Sequence, residues 1–236
     1  MTPPTPDIPI LFADEHLLVI AKPAGLLTLP DGWDAMRPHV RALLEPAWGR
    51  LWIVHRLDKD TSGVLLLARN AEAHRLLNDQ FAKHEAPKTY HAIVFGEPTW
   101  RQQTVTLRLR PNRGRRKRTV VDPRGQEAHT DFRVLRRFGG AFTWVEARPH
   151  TGRRHQIRAH LFALGHPIVH DPLYGHATTD HPLPIRRLAL HARRLECRHP
   201  VTGEWLGITA PHPPDFAAAL DDLAAYGALY AEEPST

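Results

Sequence analysis

A polar segment from His55 to Gly63, HRLDKDTSG, carries the densest set of groups in the chain that could do chemistry. It contains two carboxylates, Asp58 and Asp60, and the cation Arg56, and it directly precedes an apolar run that is typical of a buried strand. Loops beside such strands often present reactive groups. Three interpretations stay open on these residues alone: a turn, a catalytic carboxylate, and an Asp-x-Asp metal site, a pattern that is frequent by chance.

A second segment, TGRRHQIRAH from Thr151 to His160, combines cations with a helical pattern. Thr151 is a candidate N-cap for a helix that would run to Leu164. On that helix Arg154 and Arg158 are four residues apart and share a face. The helix N-terminus adds unpaired N–H donors. The pattern favours an anion site, for a phosphate or for a carboxylate from elsewhere in the protein, and the alternative is a solvated helix face.

A basic tract with seven cations and no acid lies near the middle of the chain. Its cations are Arg108, Arg110, Arg113, Arg115, Arg116, Lys117 and Arg118. Such a tract repels itself unless it is solvated or meets a polyanion. The first case gives an ordinary surface loop, and the second predicts contact with an RNA backbone. Because no aromatic residue lies inside the tract, we do not expect it to stack on bases.

Seventeen histidines raise the question of a zinc site, since five of them lie close together in the sequence. These five are His150, His155, His160, His166 and His170. The chain has no His-Glu-x-x-His motif, and Cys197 is its only cysteine. We therefore expect no metal site. The single cysteine also excludes an intramolecular disulfide.

The bulk composition is that of a globular protein with a basic bias. The chain has 236 residues, of which 42% are hydrophobic and 24% charged, and 31 Lys and Arg face 25 Asp and Glu. A sequence pI of about 9.9 points to a polyanionic partner, usually nucleic acid. The N-terminal sequence does not resemble a signal peptide, and no apolar run is long enough to span a bilayer. These features predict a cytoplasmic protein without membrane contact.

The elements that must position these groups follow from the hydrophobic pattern. Residues 9–21 predict a β-hairpin, 64–68 a buried strand, and 70–84 a helix capped by Asn70. Residues 104–110 alternate between apolar and polar types, which indicates a half-buried strand with a basic outer face. Further elements are expected as strands at 90–95, 130–138, 142–148, 187–197 and 204–209, and as helices at 40–44 and 215–226. Hairpin-linked strands with interspersed helices predict an α+β fold around a mostly antiparallel sheet, in one domain.

Five segments, in their order along the chain, resemble the RluA-type family of RNA pseudouridine synthases, and the resemblance extends from about Leu11 to Phe216. The segments are Asp14–Gly25 (DEHLLVIAKPAG), His55–Gly63 (HRLDKDTSG), Lys88–Tyr90 (KTY), Thr151–Arg158 (TGRRHQIR) with Gly165–Ile168 (GHPI), and Arg187–Ala192 (RLALHA). The resemblance implies the pseudouridine synthase fold, a mixed and mostly antiparallel sheet flanked by helices. It places the catalytic domain at 8–216, with a short frayed tail at 1–7 and a C-terminal helix and tail at 217–236.

The same resemblance implies an isomerase that converts uridine in RNA to pseudouridine without a cofactor. Asp58 stands at the position of the family's essential aspartate, and Arg158 at that of the arginine that pairs with it. Tyr90 corresponds to the tyrosine that packs against the target base. Arg56 corresponds to an arginine thought to displace the target nucleotide from its stack.

The implied partner is structured RNA, either ribosomal or transfer RNA stem-loops, and the protein is expected to be a monomer with no obligate protein partner. Besides the basic tract, Arg153 and Arg154 are expected to contact the RNA. A non-catalytic RNA-binding or assembly protein on the same scaffold is the main alternative. A metal-dependent hydrolase that uses Asp58, Asp60 and nearby histidines is the second.

Overall fold

The computed structural model describes residues 7–30, 37–111, 118–175 and 183–230, which contain eleven strands and four helices. The strands are β1 (Ile10–Ala13), β2 (Leu17–Lys22), β3 (Trp52–Ile53), β4 (Ser62–Ala68), β5 (Lys88–Phe95), β6 (Gln102–Pro111), β7 (Thr119–Val121), β8 (Gln126–Phe138), β9 (Phe142–Pro149), β10 (Leu190–Arg198) and β11 (Trp205–Thr209). The helices are α1 (Val40–Trp48), α2 (Ala71–Ala82), α3 (Gln156–Ala163) and α4 (Pro214–Tyr230).

The fold class predicted from the sequence is confirmed. Neighbouring strands such as β1 and β2, β5 and β9, and β8 and β9 pair in antiparallel register, and helices are interspersed between them along the chain. The result is an α+β fold with a mostly antiparallel sheet. The predicted hairpin, the strands and the helices α2 and α4 all form, with ends that differ from the prediction by a few residues.

The chain divides into two compact units and crosses between them three times, although no shift in composition marks any of these crossings. The first unit comprises the residues up to Lys88 and those of Ala192–Pro211. The second comprises Thr89–His191 and the residues from His212 onward. The domain end predicted at residue 216 falls inside α4.

In the first unit, β1, β2, β4 and β10 are neighbours in that order, with β3 beside β4 and β11 beside β10. All seven residues of β4 are buried, which explains its continuous apolar run. Asn70 caps α2 as predicted, because its side chain accepts a hydrogen bond from the Ala73 N–H. Ala73 and Leu77 on α2 are buried in the core of this unit together with Cys197 on β10. Burial raises the pKa of the Cys197 thiol to about 11.

In the second unit the strand order is β5, β9, β8, β6 and β7. The predicted alternation on β6 is confirmed, since Val105 and Leu109 are buried while Arg108 and Arg110 are exposed. Phe132 on β8 packs in the same core cluster as residues of α3 and α4. Strand β7 was not predicted, because three residues after a basic tract carry too little pattern to identify a strand.

The start of α3 corrects the sequence prediction. The helix begins at Gln156 rather than after Thr151, and its N-cap residue His155 has a left-handed backbone with φ of 53°. The Gln156 side chain accepts hydrogen bonds from the Thr151 hydroxyl and from the Arg153 N–H, at 2.7 and 3.0 Å. These contacts hold residues 151–155 as a loop. Arg154 therefore lies before the helix and does not share a helical face with a later arginine.

Of two further helix boundaries, the end of α1 differs from the prediction and the end of α3 agrees with it. Helix α1, expected as a short segment at 40–44, continues to Trp48 and includes Pro46. The predicted end of α3 is confirmed, because Leu164 is its C-cap and Gly165 follows with φ of 82°. Among the described residues, none of the helices has the length and apolar character that crossing a membrane requires.

Gly63, at the start of β4, is predicted to tolerate no side chain. Its φ is 119°, and an added Cβ would lie 2.6 Å from the backbone nitrogen of Ala192 on the neighbouring strand. We expect Gly63→Ala to lower the free energy of unfolding by at least about 2 kcal/mol, from backbone strain and the clash. Gly152→Ala is the matched control, because that site is open and has no positive φ. Urea denaturation would measure both, and an equal effect of the two substitutions would contradict the prediction.

Candidate active site and RNA-binding residues

The backbone on the N-terminal side of Asp58 is fixed by a buried threonine. Leu57 is buried, and both of its backbone polar groups contact Thr28. The Leu57 N–H donates to Thr28 Oγ1 at 3.2 Å, and the Thr28 hydroxyl donates to the Leu57 carbonyl at 2.9 Å. Asp58 itself is partly exposed at the next position. The carboxylate is therefore presented from a loop whose preceding residue cannot shift without breaking two buried hydrogen bonds.

The backbone on the C-terminal side of Asp58 is held by a buried lysine. Lys22 is 1% exposed, and its ammonium donates to the carbonyls of Pro23, Leu26 and Lys59 at 2.8, 2.8 and 3.0 Å. The Lys59 carbonyl also accepts from the N–H of Gly25 at 2.9 Å. Carbonyl oxygens thus surround a charge that would be costly to bury without partners. Sequence reasoning missed this role of Lys22, although a lysine at the end of a buried apolar strand is an unusual placement.

His55, the first residue of the same loop, makes contacts that stabilise the fold. Its ring stacks on Phe81 with centroids 4.9 Å apart, and its Nε2 accepts a hydrogen bond from the Leu66 N–H at 3.0 Å. Burial, and to a lesser degree the positive charge of Lys88, lower the pKa of His55 to about 3. The imidazole is therefore neutral at pH 7 and serves as an acceptor for the backbone of β4.

Tyr90 lies in the second unit, on β5. It pairs in register with Ala147 of β9, is partly buried, and packs against the apolar core of that unit. A tyrosine in such a position combines an apolar body with a polar tip. The geometry is compatible with either a core residue or a residue that also contacts a base, so its predicted role stays a prediction.

Arg158, also in the second unit, takes part in a buried ion pair. The side chain is 6% exposed, and its Nε and one terminal nitrogen donate to the two carboxylate oxygens of Asp171 at 2.7 and 2.8 Å. Asp171 Oδ1 also accepts from the N–H groups of Leu173 and Tyr174. This bidentate geometry is the strongest type of guanidinium–carboxylate contact. The sequence left open whether the anion near this helix is a phosphate or a carboxylate from elsewhere in the protein. In the structure, the anion that Arg158 binds is the carboxylate of Asp171.

Tyr174 connects the surroundings of Arg158 to the end of the basic tract. Its hydroxyl accepts from the Thr119 N–H at 2.7 Å and donates to the Thr119 carbonyl at 2.8 Å. Its ring centroid lies 5.3 Å from the Arg158 guanidinium. Burial raises the pKa of the Tyr174 hydroxyl, which keeps it protonated as a donor. Sequence reasoning missed both Asp171 and Tyr174, since their partners are far away in the sequence.

In the described part of the basic tract, Arg108 and Arg110 are exposed, whereas Arg118 is partly buried. Arg108 donates to the Gly125 carbonyl at 3.0 Å, and Arg110 pairs with Asp122 at 2.5 Å. An acid just outside the tract therefore offsets one of its charges. The Arg118 guanidinium lies 5.4 Å from the ring centroid of Phe162. The remaining predicted contacts, Arg113, Arg115, Arg116 and Lys117, fall outside the described residues.

The other predicted RNA contacts are exposed side chains in two different units. Arg56 lies in the first unit, in the loop that carries Asp58. Arg153 and Arg154 lie in the second unit, in the loop before α3, where Arg153 Nε donates to the Glu127 carbonyl at 3.0 Å. Asp58 belongs to the first unit and Arg158 to the second, so their pairing stays a prediction.

Comparison with known proteins identifies the class to which this fold and these residues belong. Residues 16–163 match the family described as RNA pseudouridylate synthase, and the matched span includes Asp58, Tyr90 and Arg158. The chain belongs to this family, whose members are isomerases that act on uridines in RNA. The family and the enzyme class predicted from the sequence are therefore confirmed.

Individual relatives match over most of the chain. The dual-specificity RNA pseudouridine synthase RluA of Pasteurella multocida is 40% identical over 214 residues, covering 89% of this chain and 96% of the relative. The ribosomal large subunit pseudouridine synthase D of Zymomonas mobilis is 38% identical over 226 residues, covering 89% and 71%. The solved structure of human RNA Pseudouridylate Synthase Domain Containing 1 matches with a TM-score of 0.75 at 26% identity, with full coverage of both chains.

Because Arg158 and Asp171 form a buried ion pair, we expect removal of the Asp171 charge to lower the stability of the protein strongly. We expect Asp171→Asn to lower the free energy of unfolding by about 3 kcal/mol, because a buried arginine loses its bidentate acceptor. Asp215→Asn is a matched control, since Asp215 pairs with Arg187 in a more exposed position and should lose less than about 1 kcal/mol. Urea denaturation would compare the two, and equal losses would contradict the prediction.

The low pKa of His55 predicts a loss of stability in mild acid. An unfolded histidine titrates near pH 6.5, so between that pH and about 3 the unfolded chain binds a proton that the folded chain does not. Stability should therefore fall with decreasing pH, by up to about 1.4 kcal/mol per pH unit. Urea unfolding at pH 7 and pH 5 would measure this loss. It should be smaller in His55→Gln, whose amide oxygen can still accept from Leu66, and unchanged in His84→Asn at an exposed position. An unaltered loss in His55→Gln would refute the assignment.

Proposed function

We propose that this enzyme isomerises specific uridines in structured RNA, in ribosomal or transfer RNA stem-loops, with Asp58 as the catalytic carboxylate. The observation that carries the proposal is the loop around Asp58, where Thr28 fixes the residue before it and Lys22 the residue after it. A reacting group must be held in position to within a fraction of an ångström, and buried support of this kind is what such precision requires. The names of relatives support an RNA of the large ribosomal subunit.

The reaction begins with access to the target atom. Because C1′ and N1 of a uridine are shielded inside a helix, the nucleotide is flipped into a pocket, most cheaply from a single-stranded loop. The C1′–N1 bond breaks, the uracil turns, and C5 bonds to C1′. The proton on C5 is then lost and N1 gains one, so the product is an isomer and no redox change takes place.

Asp58 acts in its ionised form, either by attack on C1′ or by removal of the C2′ proton. Both roles need a carboxylate beside the ribose at neutral pH. We assign to Arg158 the stabilisation of this charge, since an adjacent guanidinium favours the ionised form of a carboxyl group. The support for this role is that Asp171 already holds the Arg158 guanidinium in one orientation. No cofactor is part of this scheme.

Tyr90 holds the detached uracil by stacking. Its ring is anchored in the apolar core of the second unit, and a flat aromatic face can accommodate a base while the base turns. Its hydroxyl is also a candidate acceptor for the C5 proton. Tyr90→Phe separates the two roles, because it removes the hydroxyl and keeps the ring.

The exposed cations bind the RNA backbone. Arg56 helps to displace the target nucleotide, and Arg153 and Arg154 contact the RNA backbone. The tract supplies further contacts through Arg108, Arg110, Arg113, Arg115, Arg116 and Lys117. Such contacts make binding dependent on salt. The enzyme acts as a monomer in the cytoplasm without an obligate protein partner.

Tritium release tests the catalytic assignment. RNA transcribed with uridine tritiated at C5 is mixed with the full-length protein, and tritium in water is followed for the wild type, Asp58→Asn and Asp60→Asn. We expect Asp58→Asn to lose activity by roughly 10²- to 10⁴-fold or more. Asp60→Asn, a partly exposed carboxylate in the same loop, should keep most of it.

The substrate in this assay is a pool of unmodified large-subunit rRNA fragments and tRNAs. Near-normal turnover by Asp58→Asn would show that another residue is the catalytic carboxylate. Release from neither rRNA nor tRNA by the wild type would contradict the proposed substrate class. RNA binding without any release would instead indicate a scaffold that has lost turnover.

A further inference from the structure

We infer that the second unit binds a divalent first-row transition-metal ion such as zinc through His129, Asp131 and His150. One ligand atom of each side chain lies within 4.8 Å of the others. The sequence expectation of no metal considered the histidines from 150 to 170. It did not anticipate that the fold brings His150 to a histidine and an aspartate about twenty residues earlier.

The backbone explains why the three side chains meet. His129 and Asp131 are two residues apart on β8, so their side chains point to the same face. The His150 N–H donates to the His129 carbonyl at 2.9 Å, which continues the β8–β9 ladder one step beyond the pair Thr130 and Pro149. His150 is therefore placed directly across from His129. The cluster is built by the register of two long strands.

The side-chain geometry directs two ring nitrogens to one carboxylate. Nε2 of His150 lies 2.6 Å from Asp131 Oδ2, and Nε2 of His129 lies 3.5 Å from Asp131 Oδ1. The imidazole rings stack with centroids 4.3 Å apart and an interplanar angle of 30°. This arrangement brings a ring nitrogen of each histidine within 4.8 Å of the other.

His129 provides an independent indication of a missing partner. Its Nε2 is shielded from solvent yet has no hydrogen-bond partner among the described residues. Shielded polar atoms without a partner are rare in native proteins and require an explanation, of which an ion is one. A metal ion at this position would be a partner for His129 Nε2, which lies 3.5 Å from Asp131 Oδ1.

The surroundings orient the carboxylate and limit repulsion of a cation. The Thr104 hydroxyl donates to Asp131 Oδ1 at 2.7 Å. Hydrogen bonds of this kind orient the side chains that bind a metal ion. Arg148 lies across from Asp131 in the β8–β9 register, but it pairs with Glu146 at 3.0 Å. Arg133 pairs with the same glutamate at 3.1 Å. Glu146 thereby offsets the positive charges of both arginines.

The donor set selects the ion. Two imidazoles and one carboxylate suit zinc or cobalt with a water in the remaining position, while magnesium and calcium prefer oxygen donors throughout. The ion would fasten β8 to the loop before α3, because Thr151, which follows His150, accepts from the His129 N–H and donates to Gln156. The inference is independent of the isomerisation, no step of which uses this ion.

Metal titration of the untagged full-length protein tests the site. After treatment with a chelator, zinc is added and binding is followed by calorimetry and by the thermal midpoint of unfolding. We expect one equivalent of zinc to bind, a midpoint that rises with zinc concentration, and no rise with magnesium. Cobalt in place of zinc should give the visible absorption of a four-coordinate site.

Substitutions assign the binding to this cluster. His150→Gln and Asp131→Asn should each weaken zinc binding at least about tenfold, whereas His84→Asn, an exposed histidine elsewhere, should leave it unchanged. Because His150 and Asp131 are exposed, both variants should fold normally, which their midpoints without metal would verify. Zinc affinity that is equal in wild type and both variants, absence of binding, or equal stabilisation by magnesium would overturn the inference.

Discussion

The ion pair between Arg158 and Asp171 is the constraint on which much of the second unit depends. Removing two charges from water is costly, so the pair is stable only if the remaining hydrogen-bonding capacity is satisfied. The turn at residues 171–175 supplies two N–H donors to the carboxylate, and the Tyr174 ring covers the guanidinium. Through its hydroxyl, Tyr174 then attaches β7. One buried pair thus fixes a helix, a turn and an edge strand relative to each other.

In the first unit, a loop is fixed by a different type of interaction. There the loop of Asp58 is held by backbone carbonyls that converge on the Lys22 ammonium and by the hydroxyl of Thr28. Because these side chains bond to backbone atoms, they fix the path of the loop whichever side chains the loop itself carries. The loop that carries Asp58 can therefore be rich in polar residues and still occupy one conformation.

Most elements could be predicted because their signals are local. The apolar run of β4, the alternation of β6 and the Asn70 cap of α2 are each contained in a few consecutive residues. The start of α3 could not be predicted, since the Gln156 amide that holds residues 151–155 as a loop is itself oriented by His129 and Thr130, far away in the sequence. Asp171 and Tyr174 were missed for the same reason. The positions of Asp58, Tyr90 and Arg158 came from motif order, whereas their chemical roles are not contained in any local pattern.

The single buried cysteine has a consequence for how the protein meets oxidants and alkylating reagents. Because the thiolate is the reactive form, Cys197 with a pKa of about 11 and no exposed surface is inert while β10 stays in place. Its labelling rate therefore reports how often the strand detaches, in a chain that has no other sulfhydryl group to confuse the signal. The native sequence thus contains its own probe of local opening in the first unit.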